Sequence, residues 1–217
     1  MPSQKRILIT AGNTREMIDP VRYLSNVSTG VMGYELAKAS RKAGFSTTLI
    51  SGPTLLDPPR GVRFIGITTS AELEQALRRE FSRCDVLFMT SAVCDFRPAR
   101  FSASKIRRRS TFNLKLVKTP DILKGLTARK GKRIVVAFCL ETENLLVQAR
   151  RKLREKKADY IVANFLGRGS RPFGPHPTTV YVLGKDGTRF SLEKAPKSKV
   201  ARFLLEIINK SGTVAKR

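Results

Sequence analysis

The chain has 217 residues, 41% of them hydrophobic, which suits one sizeable domain with an ordinary core. Lys and Arg number 42 against 17 Asp and Glu, a formal net charge of +25, so an anionic partner is expected. No run of about 18 apolar residues occurs and Met1-Pro2-Ser3 leads straight into a strand-like segment, which excludes a membrane-spanning helix and a signal region and leaves a cytoplasmic location as the expectation. Cys84, Cys94 and Cys139 are widely spaced and odd in number, which argues against a disulfide framework or a zinc site and for small core residues. His176 is the single histidine and sits in "GPHPTT", read as a loop.

In chain order, Ile7 to Thr10 predicts a first strand and Gly33 to Ala43 a first helix, with some twenty residues between them that read as an oversized loop. Ser46 to Pro53 and Val62 to Thr69 are apolar, β-branched segments and predict two further strands. In "AELEQALRREFSR" Leu73, Ala76, Leu77 and Phe81 share one face, and Thr69 with Glu72 has capping-box spacing, so a helix follows. The continuous apolar runs Asp85 to Val93 and Lys132 to Glu141 suit central parallel strands covered on both faces. Between them lie a basic stretch, an alternating "FNLKL" strand, and "TPDILKGL", a short helix with Thr119 as cap and Pro120 at its first position.

"TENLLVQARRKLREKKA" predicts an amphipathic helix with Leu145, Leu146, Ala149 and Leu153 inward, and "DYIVANF" another strand. "TTVYVLGKDGTRFSLEKA" reads as a hairpin turning at Asp186-Gly187, and "SKVARFLLEIINK" as a closing helix. The expected fold is α/β: a doubly wound, mainly parallel, Rossmann-like sheet with helices on both faces and a small C-terminal β-hairpin at one edge or as a flap. A single domain over 1–217 is expected, its core at about 5–165 and the hairpin with the final helix at about 166–210.

In such a sheet ligands lie beyond the carboxyl ends of the strands. After the first strand, Gly12 permits a sharp turn, but G-x-G-x-x-G is missing, which disfavours an ordinary dinucleotide reductase. The amides near Gly30 and Gly33 suit an anion at a helix start; equally, these glycines serve close packing. Asp95 follows the fourth strand and can accept from a ribose hydroxyl or a base amino group, or help place a metal ion, while Lys105 on the next loop can neutralise a triphosphate. Lys152 and Lys156, four apart, share one helix face and can reach one phosphate chain, although such spacing is commoner among surface charges. Arg107, Arg108 and Arg109 read as a solvated run.

The basic residues concentrate in "RPARFSASKIRRRSTFNLKLVK", "ARRKLREKKA" and the terminal "KR", which raises nucleic acid as a partner. No nucleic-acid-binding signature accompanies them, and Trp is absent, so this is the second reading.

The segments "ITAGNTREMIDPVRYLSNVSTGVMGYELA", "LISGPT", "SAVCDFRP" followed by "KI", "TPDIL", "FCLETEN" and "DYIVANF" together resemble, in order and spacing, the phosphopantothenoylcysteine synthetase family, the ligase half of the bifunctional coenzyme A biosynthesis protein. The resemblance implies joining of 4'-phosphopantothenate to cysteine through an acyl-nucleotide, with Mg²⁺ as cofactor. It implies CTP, rather than ATP, as co-substrate, because the matched segments are of the bacterial type. It also implies a homodimer, with the segment around Lys105 and the C-terminal hairpin as candidates for crossing to the partner. The chain starts at the ligase's first strand, so a stand-alone ligase is expected, and association with a separate flavin-dependent decarboxylase is a further possibility.

By resemblance, Asn26 and Lys105 are catalytic. Met89, Thr90, Ser91, Asp95 and Lys105 bind the nucleotide, as do Pro120, Asp121, Ile122, Leu123, Phe138, Lys152 and Lys156, with backbone groups dominant at Met89, Thr90 and Phe138. Arg22, Asn26 and Gly30 bind the substrate; the metal ligands are unassigned. The chain departs from the family pattern at Asn13, which replaces a glycine and tolerates a left-handed turn. It departs also at Val31, which replaces a lysine, at the small positions Ser91, Cys94 and Cys139, and at Leu140, which adds bulk beside the nucleotide. These departures motivate a third reading, a non-catalytic partner of a decarboxylase.

Overall fold

The computed structural model describes residues 4–167, 170 and 172–213; the terminal "KR" of the basic inventory lies outside the described residues. The chain runs β1 (Arg6–Ala11), β2 (Arg15–Asp19), β3 (Arg22–Ser25), α1 (Val31–Lys42), β4 (Ser46–Ser51), β5 (Arg63–Gly66), α2 (Ser70–Phe81) and β6 (Val86–Met89). It continues with β7 (Phe96–Pro98), β8 (Leu116–Lys118), α3 (Ile122–Thr127), β9 (Ile134–Glu141), α4 (Leu145–Glu155), β10 (Tyr160–Phe165), β11 (Thr178–Gly184), β12 (Arg189–Ala195) and α5 (Lys197–Thr213).

Six parallel strands lie in the order β5-β4-β1-β6-β9-β10, so the winding direction reverses between β1 and β6. The β11–β12 hairpin adds antiparallel beyond β10 and completes one eight-stranded sheet, an edge extension rather than a flap. Period-2 alternation divides the core. Ile7, Ile9, Val86, Phe88, Val136 and Val162 face α1 and α5, packing with Leu36, Ala37, Leu204 and Ile208. Leu8, Leu87, Val135, Ala137 and Ile161 face α2, α3 and α4, packing with Leu73, Leu77, Leu123, Ala149 and Leu153. Strands covered on both faces must be apolar throughout, which is why β6 is buried at every position.

Three local expectations are corrected. The stretch after β1 is an antiparallel hairpin, β2–β3, rather than a loop. The buried Asp19 carboxylate holds its bend, accepting from the amides of Val21 and Arg22 at 2.9 Å each. The strand expected at "FNLKL" forms at Leu116–Lys118 instead, where it pairs antiparallel with the three-residue β7. The cap of α3 is Asp121, whose Oδ1 accepts from the Lys124 amide at 3.0 Å; the Thr119 hydroxyl instead donates to the Cys94 carbonyl at 2.6 Å. Thr69 does cap α2, accepting from the Glu72 amide at 3.2 Å, while Glu72 reaches back to the Thr68 amide, one residue earlier than the capping box requires.

Asp159 ties the distant end of the sheet together. It is 7% exposed and accepts from Lys130 Nζ at 2.5 Å, Lys185 Nζ at 2.6 Å and the Val135 amide at 2.9 Å. Burial pushes its carboxyl up, but the hydrogen bonds from Lys130, Lys185 and Val135 outweigh it and hold the group below the usual carboxylate range. A carboxyl depressed in the folded state contributes stability above its unfolded pKa of about 3.9 and loses it as the pH falls through the folded value. Asp159→Asn leaves two lysines without their counter-charge and should cost about 3 kcal/mol at neutral pH by urea denaturation, with the gap to wild type closing below pH ~4.

Candidate active site at the switch point

The carboxyl ends of β1 and β6 are knotted by one buried hydroxyl. Thr10, 0% exposed, accepts from the amides of Thr90 and Ser91 at 3.1 Å each and points its own proton at Met89 Sδ, 3.5 Å away. Thr90 Oγ1 returns a hydrogen bond to the Thr10 carbonyl, and Ser91 Oγ bonds the Ala11 carbonyl at 2.9 Å. α1 is seated directly on this knot. A Cβ at Gly33 would stand 2.6 Å from Ala11 Cβ and 2.7 Å from Thr90 Oγ1, so only glycine lets the helix approach so closely. The packing role of Gly33 is therefore real, whereas Gly30, at φ +77, supplies the left-handed residue that starts α1 with no side-chain cap on its first-turn amides.

From the knot opens a cleft of about 1160 Å³. On the α3/α4 side it is lined by Met89, Thr90, Ser91, Asp95, Pro120, Asp121, Ile122, Leu123, Phe138, Lys152 and Lys156, eleven of the twelve expected nucleotide positions. The Thr90 and Ser91 amides are engaged by Thr10, so at Thr90 the expected dominance of backbone groups is narrowed to its carbonyl. Lys152 and Lys156 are not idle surface charges. Lys152 Nζ lies 2.7 Å from Glu141 Oε1, and Lys156 Nζ lies 2.5 Å from Asp121 Oδ2. Burial pushes the Asp121 carboxyl up, but the hydrogen bonds from Lys156 and the Lys124 amide hold it below the carboxylate range. Lys118 and Arg151 also line the cleft, and Asp95 makes no ion pair among the described residues.

On the α1 side the lining comes from Asn26 through Gly33, Asn164, Leu166, Pro172, Phe173, Val180 and Lys197. Asn26 is fixed from both directions: its Nδ2 donates to the Val93 carbonyl at 2.8 Å, and its own carbonyl accepts from Asn13 Nδ2 at 3.0 Å. Asn13 does not use the left-handed conformation it tolerates; Gly12 takes it, at φ +70, and Asn13 pairs in parallel with Ala92. Val31 opens α1 at the cleft wall, and Leu140, 36% exposed, faces the same space. Cys139 lines the cleft too, but burial raises its thiol to about 12, which keeps it protonated and unreactive at neutral pH.

Arg22 and Lys105 are not brought to this cleft. The Arg22 guanidinium lies 3.3 Å from Asp19 and donates to the Ile106 carbonyl at 3.1 Å, while the Ile106 amide donates to Asp19 Oδ2 at 3.1 Å. Arg22 and Asp19 thus hold the Ile106 backbone, next to Lys105, against the bend of the β2–β3 hairpin. Sequence reasoning missed Lys118, Arg151, Asn164 and Lys197. Lys118 and Arg151 fall in runs already rich in Lys and Arg; Asn164 and Lys197 reach the cleft from β10 and α5, and no spacing motif links them to it.

Among the described residues no three His, Cys, Asp or Glu side chains converge to hold a metal. Asp95 is a cleft carboxylate without an ion pair among the described residues.

This strand order, with a cationic cleft at the reversal point, defines a doubly wound α/β protein of the class that takes ligands at a topological switch point. Residues 3–211 match the DNA/pantothenate metabolism flavoprotein C-terminal domain, and the chain belongs to that family. It is 39% identical over 208 residues to the coenzyme A biosynthesis bifunctional protein CoaBC of Borreliella burgdorferi, covering 94% of this chain and 52% of that one. With the protein of the same name from Bacillus subtilis it shares 39% over 206 residues, covering 94% and 51%. The chain thus spans about half the length of the curated relatives it matches. Its fold is similar to a crystal structure of the C-terminal domain of CoaBC, with TM-score 0.82, 36% identity and 95% coverage of both chains. It also shares the fold of Cab2 in complex with phosphopantothenate-cysteine, at TM-score 0.78, 17% identity and coverage of 98% and 89%.

Thr10→Val preserves shape but strands two half-buried amides. It should cost about 2 kcal/mol of stability by chemical denaturation and weaken nucleotide binding measured by calorimetry, while Thr10→Ser should retain both.

Proposed function

We propose that this chain is a phosphopantothenate-cysteine ligase that works through an acyl-nucleotide, with CTP as co-substrate. The observation that carries the reading is the convergence of Asn26, Asp95, the start of α3 and the Lys152–Lys156 face on one cationic cleft in a member of this family. Bringing a carboxylate to a triphosphate requires anions to meet, and a cleft lined by Lys118, Arg151, Lys152, Lys156 and Lys197 against Asp95 and Asp121 lowers that barrier.

In the first half-reaction the substrate carboxylate oxygen attacks the α-phosphorus; the bond to the β-phosphate breaks and pyrophosphate leaves. Lys152 and Lys156 exchange their carboxylate partners for phosphoryl oxygens as the nucleotide enters. Mg²⁺, when bound, would supply further neutralisation of the triphosphate beside Asp95. In the second half-reaction the cysteine amine attacks the acyl carbon, loses a proton, and the nucleoside monophosphate departs. Because Asn26 Nδ2 is committed to Val93, the side-chain atom left for substrate is Oδ1, an acceptor suited to an incoming amine.

Arg22 holds the segment next to Lys105 against the hairpin and neither residue lines this chain's own cleft, which supports a homodimer whose partner's cleft they serve. Pyrophosphate release should require phosphopantothenate and be faster with CTP than with ATP; absence of turnover with both nucleotides removes the reading. Asn26→Ala should accumulate the acyl-nucleotide, and Lys105→Ala should fail to form it, each losing about 100-fold or more in turnover. Mixing these two inactive variants in equal amounts should restore about a quarter of the wild-type rate if Lys105 acts across a two-fold interface, and nothing if it acts within its own chain.

A further inference from the structure

We propose that Lys197 is a phosphoryl-binding residue, its ammonium taking a phosphoryl oxygen of a ligand on the α1 side of the cleft. The proposal rests on the ligase reading and assigns one contact within it. Packing alone gives no reason for a lysine at this position. Lys197 is 6% exposed, on a wall shared with the apolar Leu166, Phe173 and Val180. Its Nζ donates to the His176 carbonyl at 3.0 Å, and none of the ion pairs among the described residues includes it. An ammonium has three protons to donate, and an uncompensated buried cation is costly.

Position makes the cost larger. Lys197 is the first residue of α5, where the helix dipole is positive, and α5 packs beside α1, whose own uncapped start lies on the same cleft. Two positive helix ends and a buried ammonium therefore converge on one wall, a field that only an anion relieves. Burial accordingly lowers the Lys197 ammonium from its ordinary range. A second side chain on this wall is also incomplete. Asn164 Nδ2 donates to Thr178 Oγ1 at 3.2 Å, but its Oδ1 is buried without a partner among the described residues. An orphan acceptor in a wall that a ligand covers is satisfied by a ligand donor, such as a hydroxyl or a singly protonated phosphate.

The reaction offers two phosphoryl groups of the same chemistry: the terminal phosphate of phosphopantothenate and the pyrophosphoryl end of the nucleotide. Separate calorimetric titrations with phosphopantothenate, CTP and inorganic pyrophosphate distinguish them. Lys197→Met keeps the apolar stem and removes the charge. It should weaken phosphopantothenate, or CTP and pyrophosphate together, by roughly 10- to 100-fold, with KM rising far more than kcat falls. Lys197→Arg should recover most of that affinity, and the arm that weakens names the group bound. Unchanged affinity of Lys197→Met for all three probes overturns the proposal while the ligase reading stands. A wild-type chain that binds none of them fails the ligase reading itself. If Lys197→Met does not fold because the His176 tether is lost, the side-chain nitrogen resonance of Lys197 in the wild-type chain decides. It should shift on addition of phosphopantothenate or pyrophosphate, and no shift with either overturns the proposal.

Discussion

The hydroxyl of Thr10 is the constraint on which the site depends. A doubly wound sheet reverses direction once, and at that reversal the chains leaving adjacent strands diverge to opposite faces, opening a crevice. Here the chains leaving β1 and β6 would separate immediately after Thr10 and Met89. Thr10 prevents this by accepting from both amides that follow β6, and the bond from Thr90 to the Thr10 carbonyl closes the loop from the other side. The consequence spreads outward. Gly33 seats α1 on the same knot, the Asn13–Ala92 pairing prolongs the contact of the two segments, and Asn26 bonds to Val93 just beyond it. The floor of the cleft is fixed by a few hydrogen bonds that meet at or beside the buried Thr10 hydroxyl.

Charge enters at a second level. The +25 excess attracts anions at long range without specifying a site. What distinguishes the cleft is that its cations are positioned. Lys152 and Lys156 each hold a carboxylate, and Lys197 is buried at a helix start. A lysine paired in this way is pre-placed, so a phosphate displaces one oxygen partner with another and does not have to order a free side chain. Asp121 is the hinge of this arrangement, because the same carboxylate caps α3 and holds Lys156.

Sequence reading captures the parts of this protein that are written as repeats of local pattern. Continuous apolar runs identify β6 and β9, and one-face periodicity identifies α2 and α4. The Asp186-Gly187 turn identifies the final hairpin, because each of these elements reports its own burial. Elements stabilised by distant partners are less legible. The β2–β3 hairpin carries no turn signature stronger than Asp19-Pro20, and its bend depends on a carboxylate that also serves the Ile106 amide 87 residues away. The cap of α3 is ambiguous because Thr119 and Asp121 both suit a helix start, and the Thr119 hydroxyl is taken by Cys94 from another segment. In the site, residues beside strand ends are readable and nearly all line the cleft. Asn164, near the carboxyl end of β10, falls under the same rule and sequence reasoning missed it, whereas Lys197 is not readable, since its arrival there depends on how the β11–β12 edge and α5 fold back across the sheet.

The long connection after β1 shows why a fold so close to a dinucleotide-binding sheet need not share its chemistry. A short glycine turn there would deliver the chain from strand to helix and place a pyrophosphate on the α1 amides directly. Inserting a hairpin moves the start of α1 no farther from the sheet, because Gly33 still contacts Ala11 and Thr90 at the packing limit. The uncapped start of α1 therefore keeps its place while a new wall is built over it, one that carries Asn26 into the cleft and holds the Lys105 segment through Arg22. Asn13 then has a definite role in place of the glycine of the family pattern. The turn needs no left-handed residue at that position, since Gly12 provides it, and a side-chain amide there fastens the far end of the insertion back to its beginning. The departure at Asn13 thus strengthens the placement of Asn26, the residue on which the second half of the proposed reaction turns.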